Sequence, residues 1–387
     1  MMAEIQRLTE NDFPEVFALS QFAFQFELSD EERQKKIEET KHHKIWGWME
    51  QGRLAGKLHL HSLSCYLDGK EFAMGGIGNV ATWPEYRRQG VVKRLLHHAL
   101  LDMKENGQML SFLHPFSFPF YRKYGWELAF TNKHYSLPID RLKKKWNGDG
   151  YVRRVQKDIA LLDSLYSRFA QEYNGMLVRD ERWWKQRVLT GNEHIAVSYN
   201  EQDEAEGYLI YHVNDDIFTV EEFVYLTLNG WRVLMQFIAN HDSMVEKVEM
   251  VVPENDLLPL RIDEPRFPQE VKPYFMARIV DVPAFLKAYP FRRNPSSQPV
   301  HLQVEDEFLP DNTGSYRIED GQVIHIEAEN PGGNGISCSI QQLTVMLLGT
   351  KRPSELYTAG MIGGEPTEVE LLEGILPVRQ TYLTDFF

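Results

Sequence analysis

A short segment that combines two arginines with a glycine has the residue types of an anion-binding loop. It consists of Arg87, Arg88, Gln89, Gly90, Val91 and Val92, and Lys93 follows it. The first N–H groups of a helix are unpaired and the helix dipole is positive at that end, so a helix N-terminus binds anions readily. Arginine donates charge-assisted hydrogen bonds to phosphate, and glycine lets the backbone approach closely. The segment is therefore a candidate pyrophosphate loop, with a solvated basic turn as the alternative.

The elements around this loop must place it between a strand and a helix. The sequence predicts a strand at 70–83, directly before the loop, and an amphipathic helix from Gly90 to about Glu105. Capping-box spacings that begin at Thr9 and Ser29 predict two earlier helices. Further strands are predicted at 5–8, 44–50, 54–66 and 109–114. This order predicts a mixed α/β layer over residues 1–150.

Two more zones follow a predicted linker at 146–150. The zone 151–282 shows a helical pattern, strands at 195–199 and 206–212, a helix at 231–239 and a strand at 245–252. This order repeats that of the first zone without the Arg/Gly loop, which predicts a degenerate second copy of the same fold. The zone 283–387 opens with a helix start. Its other predicted elements are strands at 300–305, 314–319 and 322–329 and helices at 340–348 and 367–376. The predicted fold class is α/β (α+β).

Composition narrows the class of protein. The chain has 387 residues, enough for two or three domains, and a formal charge of −14. That charge argues against a general nucleic-acid binder and favours a cationic small substrate, with solubility alone as the alternative. No run approaches the roughly 20 apolar residues of a membrane span, and the first residues show no secretory signal. The two cysteines, Cys65 and Cys338, exclude a disulfide framework and are typical of a cytoplasmic protein.

Other patterns give weaker candidates. His59 and His61 alternate on one predicted strand and could share a face, but no third ligand is marked, so we predict no metal site. The glycines at 75, 76 and 78 lie inside a strand pattern rather than at a helix start, so they are not a dinucleotide-binding fingerprint. Trp183 and Trp184 are predicted to be core or interface residues.

The loop resembles the signature of the GNAT superfamily of N-acetyltransferases, Arg/Gln-x-x-Gly-x-Gly/Ala between a strand and a helix. Arg87 and Gly90 match this signature, and Val92 departs from it at the last position. A residue bulkier than glycine or alanine at this position resembles the pattern of one subgroup, the Eis (enhanced intracellular survival) acetyltransferases. Three other segments resemble the same subgroup: Val80-Ala81-Thr82 before the loop, the stretch 120–126 around Tyr121, and the chain end Asp385-Phe386-Phe387.

The resemblance implies a fold and a set of site residues. It implies a GNAT domain at 1–150, a degenerate GNAT-like domain at 151–282 and a sterol-carrier-like domain at 283–387. The loop residues would hold the pyrophosphate of acetyl-CoA, and Val80, Ala81, Thr82, Phe116 and Ser117 would lie along its pantetheine arm. Tyr121 would be the acid that protonates the departing sulfur, and the α-carboxylate of Phe387 would be the base. Without the resemblance, Tyr121 would be predicted as a packed aromatic and Phe387 as a frayed end.

By resemblance, the protein is an enzyme that moves acetyl from acetyl-CoA to a primary amine of a cationic acceptor. The acceptor would be a polyamine, an aminoglycoside-like compound or a lysine side chain, and the assembly would be a homo-hexamer. The alternative is a lipid- or acyl-CoA-binding protein that uses the transferase fold without catalysis. A purely structural protein would leave the Arg/Gly loop unexplained.

Overall fold

The computed structural model describes residues 4–293, 298–326 and 335–387. Its strands are β1 (Glu4–Leu8), β2 (Lys44–Glu50), β3 (Arg53–Leu67), β4 (Lys70–Thr82), β5 (Leu110–Leu113), β6 (Glu127–Leu128), β7 (Thr131–Pro138), β8 (Tyr151–Val155), β9 (His194–Tyr199), β10 (Ala205–Asn214), β11 (Ile217–Tyr225), β12 (Lys247–Val252), β13 (Gln269–Pro273), β14 (Met276–Ile279), β15 (Val300–Glu305), β16 (Gly314–Glu319), β17 (Gln322–Ile326) and β18 (Ile336–Ser339).

The helices lie between these strands. They are α1 (Phe13–Phe24), α2 (Asp30–Thr40), α3 (Val91–Glu105), α4 (Phe118–Arg122), α5 (Ile159–Ala170), α6 (Glu181–Trp183, which continues as a π-helical turn), α7 (Leu228–Ala239), α8 (Val282–Ala288), α9 (Ile340–Leu348), α10 (Pro353–Thr358) and α11 (Pro366–Ile375). The capping boxes predicted at Thr9 and Ser29 are confirmed, with Ser29 accepting a hydrogen bond from the backbone of Glu32. No helix in the described ranges is long and apolar enough to cross a membrane.

The first sheet has the order β1-β2-β3-β4-β5-β14-β6. All its neighbours are antiparallel except β4 and β5, which run parallel. The apolar side of α3, with Leu95 and Leu96, covers one face of this sheet, and α1, with Val16 and Phe17, covers the other. The sheet is therefore buried between helices on its two faces, and β4 leads out of it to the N-terminus of α3.

The second sheet repeats this plan in the order β13-β7-β12-β11-β10-β9-β8, with β11 and β12 as its parallel pair. Helices α7 and α5 pack against its strands. The segment 146–150, predicted as a linker, begins with a buried residue: the ring of Trp146 lies 5.2 Å from that of Trp231. Among the described residues, β15 to β18 form the third sheet, in the order β17-β16-β15-β18, and it packs with α9 and α11.

The two large sheets exchange strands. Strand β7 follows the first-sheet strand β6 in the chain but pairs with β12 and β13 of the second sheet. Strand β14 comes late in the chain but lies between β5 and β6 of the first sheet. The domain limits at 150 and 282 stay a prediction, because the sheets share chain across them.

Several elements were not predicted from the sequence: β6, β7, β8, β11, β13, β14, β18, α6 and α10. In β11, Glu221 is an extra residue: Glu222 pairs with Ile210 and Val220 pairs with Tyr211. Such a bulge breaks the alternation of apolar and polar residues by which strands are recognised. The end of the strand predicted at 322–329 lies outside the described residues, since β17 is described to Ile326.

Candidate active site

The Arg/Gly loop leaves the start of a long helix open to solvent. Strand β4 ends at Thr82, a short 3-10 turn follows, and the 15-residue helix α3 begins at Val91. Arg88 and Gly90 both have left-handed backbone, with φ of 63° and 79°, which turns the chain sharply into the helix. No side chain in the described part of the chain caps the helix, and a Cβ added to Gly90 would meet none of its atoms within 4 Å. An anion can therefore reach the free N–H groups.

The cations around this helix start differ in how they are held. Arg87 Nε donates a hydrogen bond to the Thr82 carbonyl at 3.3 Å, which ties the loop to the end of β4. Arg88 and Lys93 are exposed and form no ion pair with any described residue. Val91 is buried and Val92 half-buried, so this turn of the helix is anchored in the core. The predicted loop residues thus lie together around one helix N-terminus.

Replacing both Arg87 and Arg88 by alanine is expected to weaken acetyl-CoA binding by roughly 10²- to 10⁴-fold, because hydrogen bonds to charged groups contribute about 1.5–3 kcal/mol each. Isothermal titration of the folded variant with acetyl-CoA measures the effect. Arg141→Ala, at an exposed arginine in the turn that follows β7, is the matched control and should bind as the parent does. An unchanged dissociation constant in the double variant would remove the loop from the cofactor site.

Strand β4 runs past its parallel neighbour and leaves one edge open. On one edge it pairs with β5 over Met74 to Ile77. On its other edge it pairs with β3 from Lys70 to Thr82. Val80, Ala81 and Thr82 lie on this unaccompanied end. The Oγ1 atom of Thr82 is buried and has no hydrogen-bond partner within the described chain. Beyond Ile77, the edge of β4 that faces β5 is unpaired within the described residues. We call this opening the gap between β4 and β5, and an extended ligand could pair with the strand there.

The segment after β5 closes one side of this gap. Ser117 precedes α4, and the ring of Phe116 is 74% exposed beside it. Tyr121 is buried on α4, with its ring 5.5 Å from that of Phe116 and 5.2 Å from that of Phe120. Burial raises the pKa of Tyr121 above its ordinary value. Tyr121 is therefore a neutral phenol that can donate its proton.

The chain end reaches the same edge of the first sheet. Phe387 is buried, and its ring fills the space beside Gly76, where an added Cβ would lie 2.5 Å from it. Its carboxyl carbon lies 3.3 Å from the Cβ position of Gly78. The preceding Phe386 packs on His114, just beyond β5, with ring centroids 5.1 Å apart. The terminal carboxyl group is thus set against β4 where this strand leaves β5.

A buried ionic cluster fixes the last residues of the chain, Asp385 to Phe387, which we call the tail. Arg179 donates to Asp385 at 3.0 Å and to Glu222 on β11 at 2.6 Å, and all three side chains are at most 6% exposed. Trp183 Nε1 also donates to Asp385 at 2.7 Å, and Tyr208 donates to Glu222 at 2.6 Å. Sequence reasoning missed Arg179 and Glu222, because no local pattern marks an ion pair whose members lie more than 40 residues apart.

A cavity of about 540 Å³ opens beside this cluster, between α2, the strand β11 and the tail. Its charged lining consists of Glu32, Glu39, Glu221, Glu222, Asp385, Lys35, Lys36, Arg179 and Arg187. Glu39 is held by Lys36 at 2.9 Å, whereas Glu221 is exposed and forms no ion pair with a described residue. The cavity therefore presents a free carboxylate close to the chain end.

The weaker candidates take up other places. His59 and His61 do share a face, and His43 joins them, but the described residues contain no group of three or more His, Cys, Asp or Glu that could hold a metal ion. Trp183 and Trp184 are buried, as predicted. Both cysteines are buried free thiols, and burial raises the pKa of Cys338 to about 12.

Comparisons with protein families find three domain matches along the chain. Residues 4–129 match an acetyltransferase (GNAT) domain, residues 175–279 match a second one, and residues 282–384 match a sterol carrier protein domain. An uncharacterized N-acetyltransferase of Streptomyces avermitilis is 24% identical over 322 residues, which cover 76% of each chain.

Solved structures show the same architecture. A conserved protein of unknown function from Enterococcus faecalis, described as a probable N-acyltransferase, is 26% identical and superposes with a TM-score of 0.92 over 100% of both chains. Eis1 of Mycobacterium abscessus is 20% identical with a TM-score of 0.83, again over 100% of both chains, a likeness that concerns the fold. The chain therefore belongs to the GNAT family of N-acetyltransferases and has the Eis-like order of two GNAT domains followed by a sterol-carrier-like domain.

Proposed function

We propose that the enzyme transfers acetyl from acetyl-CoA directly to a primary amine of a cationic acceptor, with Tyr121 as acid and the Phe387 carboxylate as base. The acceptor class is a polyamine, an aminoglycoside-like compound or a lysine side chain. One observation carries the proposal: the carboxyl group of Phe387 lies against Gly78, on the strand that leads to the open helix N-terminus. The candidate base and the candidate anion-binding loop thus lie along the same stretch of chain, one beside β4 and the other just after it.

The acetyl donor would lie along the end of β4. Arg87, Arg88, Lys93 and the N-terminus of α3 would bind its pyrophosphate, and Gln89 and Gly90 complete the turn around it. The unaccompanied backbone of Val80 to Thr82 would bind the extended arm, with Phe116 and Ser117 on the opposite side. This arrangement would bring the thioester close to the point where β4 and β5 separate.

The chemistry needs a neutral amine and a protonated leaving group. The Phe387 carboxylate would take one proton from the acceptor ammonium, and the nitrogen would then attack the thioester carbonyl. Tyr121 keeps its proton because burial raises its pKa, so it can protonate the departing sulfur. The second amine proton, lost when the amide forms, restores the Tyr121 phenol.

The charge of the molecule and of the cavity supports a cationic acceptor. The chain carries a formal charge of −14, which raises the local concentration of cations. Within the cavity, Glu221 has no cationic partner among the described residues. In the buried cluster, two carboxylates share the single guanidinium of Arg179. An acceptor with several amines would interact with Glu221 and with the carboxylates of this cluster.

Acetyl-CoA turnover with a panel of amines tests the proposal. Polyamines and aminoglycosides should be acetylated well above the rate of acetyl-CoA hydrolysis, and fully N,N-dimethylated analogues should not, since they cannot form an amide. Thiol release and the mass of the product give the rate and the number of acetyl groups. If no primary amine in the panel is acetylated although acetyl-CoA binds, the proposed acceptor class is wrong.

We also propose a cytoplasmic location, which the cysteine usage favours, and a homo-hexamer, which the resemblance to the Eis subgroup implies. The two buried free thiols are typical of a reducing compartment. Light scattering of the purified protein measures the mass of the assembly.

A further inference from the structure

His61 is a buried imidazole that makes no hydrogen bond to any described residue. It lies on β3 and is 7% exposed. Its neighbours on the same face are paired: His59 lies 3.2 Å from His43 through their Nδ1 atoms and 3.2 Å from Lys57 Nζ through its Nε2. Among the described residues, His61 makes ring contacts, at 4.1 Å to His43 and 5.7 Å to Phe387. The residue is largely buried, but its ring nitrogens have no partner in the described chain and are free to bind a ligand.

The free nitrogen of His61 faces the same point as the terminal carboxyl group. The Cβ position of Gly78 lies 3.3 Å from His61 Nε2, 3.3 Å from the carboxyl carbon of Phe387 and 3.4 Å from its oxygen. Because residue 78 is a glycine, no side chain separates the two groups. A neutral imidazole nitrogen and a carboxylate therefore converge beside β4 from different elements.

The protonation state of His61 suits a hydrogen-bond acceptor. Burial lowers its pKa well below the ordinary value, and the nearby charges of His43, Arg187 and Arg182 act in the same direction. An unprotonated imidazole has one nitrogen that accepts and one that donates. A ligand that donates hydrogen bonds to both the imidazole and the carboxylate needs two N–H groups on one atom, which a primary amine has.

We propose that His61 is a further catalytic residue, which accepts a hydrogen bond from the acceptor's primary amine through Nε2 while the Phe387 carboxylate takes the proton. This inference rests on the proposed function of that carboxylate. In the step, one N–H bond of the ammonium breaks and one O–H bond of the carboxyl group forms. A second N–H group of the amine then stays hydrogen-bonded to His61 Nε2. This bond fixes the direction in which the nitrogen lone pair points for attack on the thioester.

The same geometry suits a primary amine. After losing one proton, a primary amine still has two N–H groups, so one of them can bind His61 while the nitrogen attacks the thioester. The ring of His43 lies 4.1 Å from that of His61 at a tilt of 52° and is itself held through His59 and Lys57. Lys57 in turn donates to the carbonyl of Asn79 at 3.0 Å, so the cluster is tied to β4.

Two substitutions at position 61 test this role. His61→Phe keeps a flat ring but removes the acceptor, and kcat/KM for the amine should fall by roughly 10- to 100-fold, the usual effect of losing a hydrogen bond to a charged group. His61→Gln places an oxygen near the position of Nε2 and should recover most of this loss. The dissociation constant of acetyl-CoA should stay unchanged in both. His97→Phe, a half-buried histidine on α3 that packs on Phe308, is the matched control and should behave as the parent.

Recovery of kcat/KM in His61→Gln but not in His61→Phe is the readout that a merely structural role would not produce, since both variants remove the imidazole. Parent-like kcat/KM in a folded His61→Phe variant, or equal losses in both variants, would overturn the inference. A chain extended past Phe387 keeps this outcome separate: if the extension abolishes turnover while His61→Phe is fully active, only the role of His61 fails, and if the extended chain is fully active, the proposed base itself fails.

Discussion

Adding a single glycine after Phe387 is expected to lower kcat by a factor of roughly 10² to 10⁴, the usual contribution of a general base. The extension turns the carboxylate at position 387 into a neutral amide and moves the charge about 3.8 Å along the chain. The buried end has no room for this change, because Phe387 is 8% exposed and its carboxyl group lies against Gly78. The rate is measured as CoA release at saturating acetyl-CoA and amine.

Binding of acetyl-CoA provides the internal control for this experiment. The Arg/Gly loop begins at Arg87, nine residues after Gly78 and beyond the end of β4, so the extended chain should bind acetyl-CoA as the parent does. The same glycine added at the N-terminus should leave turnover unchanged. If the C-terminally extended enzyme turns over at the parental rate, another group accepts the proton.

Tyr121→Phe is expected to give the second large effect, a loss of kcat by roughly 10² to 10³, since it removes the acid that protonates the sulfur. The variant should fold normally, because the Tyr121 hydroxyl has no hydrogen-bond partner within the described chain and its ring contacts persist in phenylalanine. The affinity for acetyl-CoA should hardly change. Tyr124→Phe, three residues later, makes the same chemical change away from the gap and is the matched control.

The pH dependence of kcat gives a separate check on Tyr121. Burial raises its pKa, so the folded enzyme keeps the phenolic proton to a higher pH than a free tyrosine, whose pKa is about 10. The activity that depends on this proton should therefore persist up to about pH 10. A fall in kcat centred near pH 8 that is absent from Tyr121→Phe would assign the acid a pKa below the ordinary value and contradict its burial.

The local parts of the site could be predicted from the sequence, because they are encoded by neighbouring residues. The loop from Arg87 to Val92 lies between a strand and a helix, and the capping boxes at Thr9 and Ser29 begin helices as predicted. The ends of β2, β15, β16 and α9 also agree with their patterns of apolar residues. In these segments the periodicity of the chain and the burial of side chains follow the same short-range rule.

The convergent parts of the site could not be predicted in this way. Arg179, Glu222 and Asp385 meet through three separate stretches of chain. His61 was recognised only as a partner of His59, and the glycine that matters for it, Gly78, was indistinguishable from any glycine in a strand. Their roles depend on which side chains the tertiary fold brings to one point, and a single sequence does not encode these distances locally.

The exchange of β7 and β14 between the sheets has a consequence for how the protein is made. A ribosome adds roughly 5–20 residues per second, so on the order of 10 s to 30 s separate the synthesis of β6 from that of β14. During this interval the nascent first sheet has an unpaired edge at β5, which later binds β14. Exposed strand edges recruit other chains. The nascent chain therefore exposes this edge until β14 is made, and the first GNAT domain, expressed alone, would lack the strand that completes its sheet.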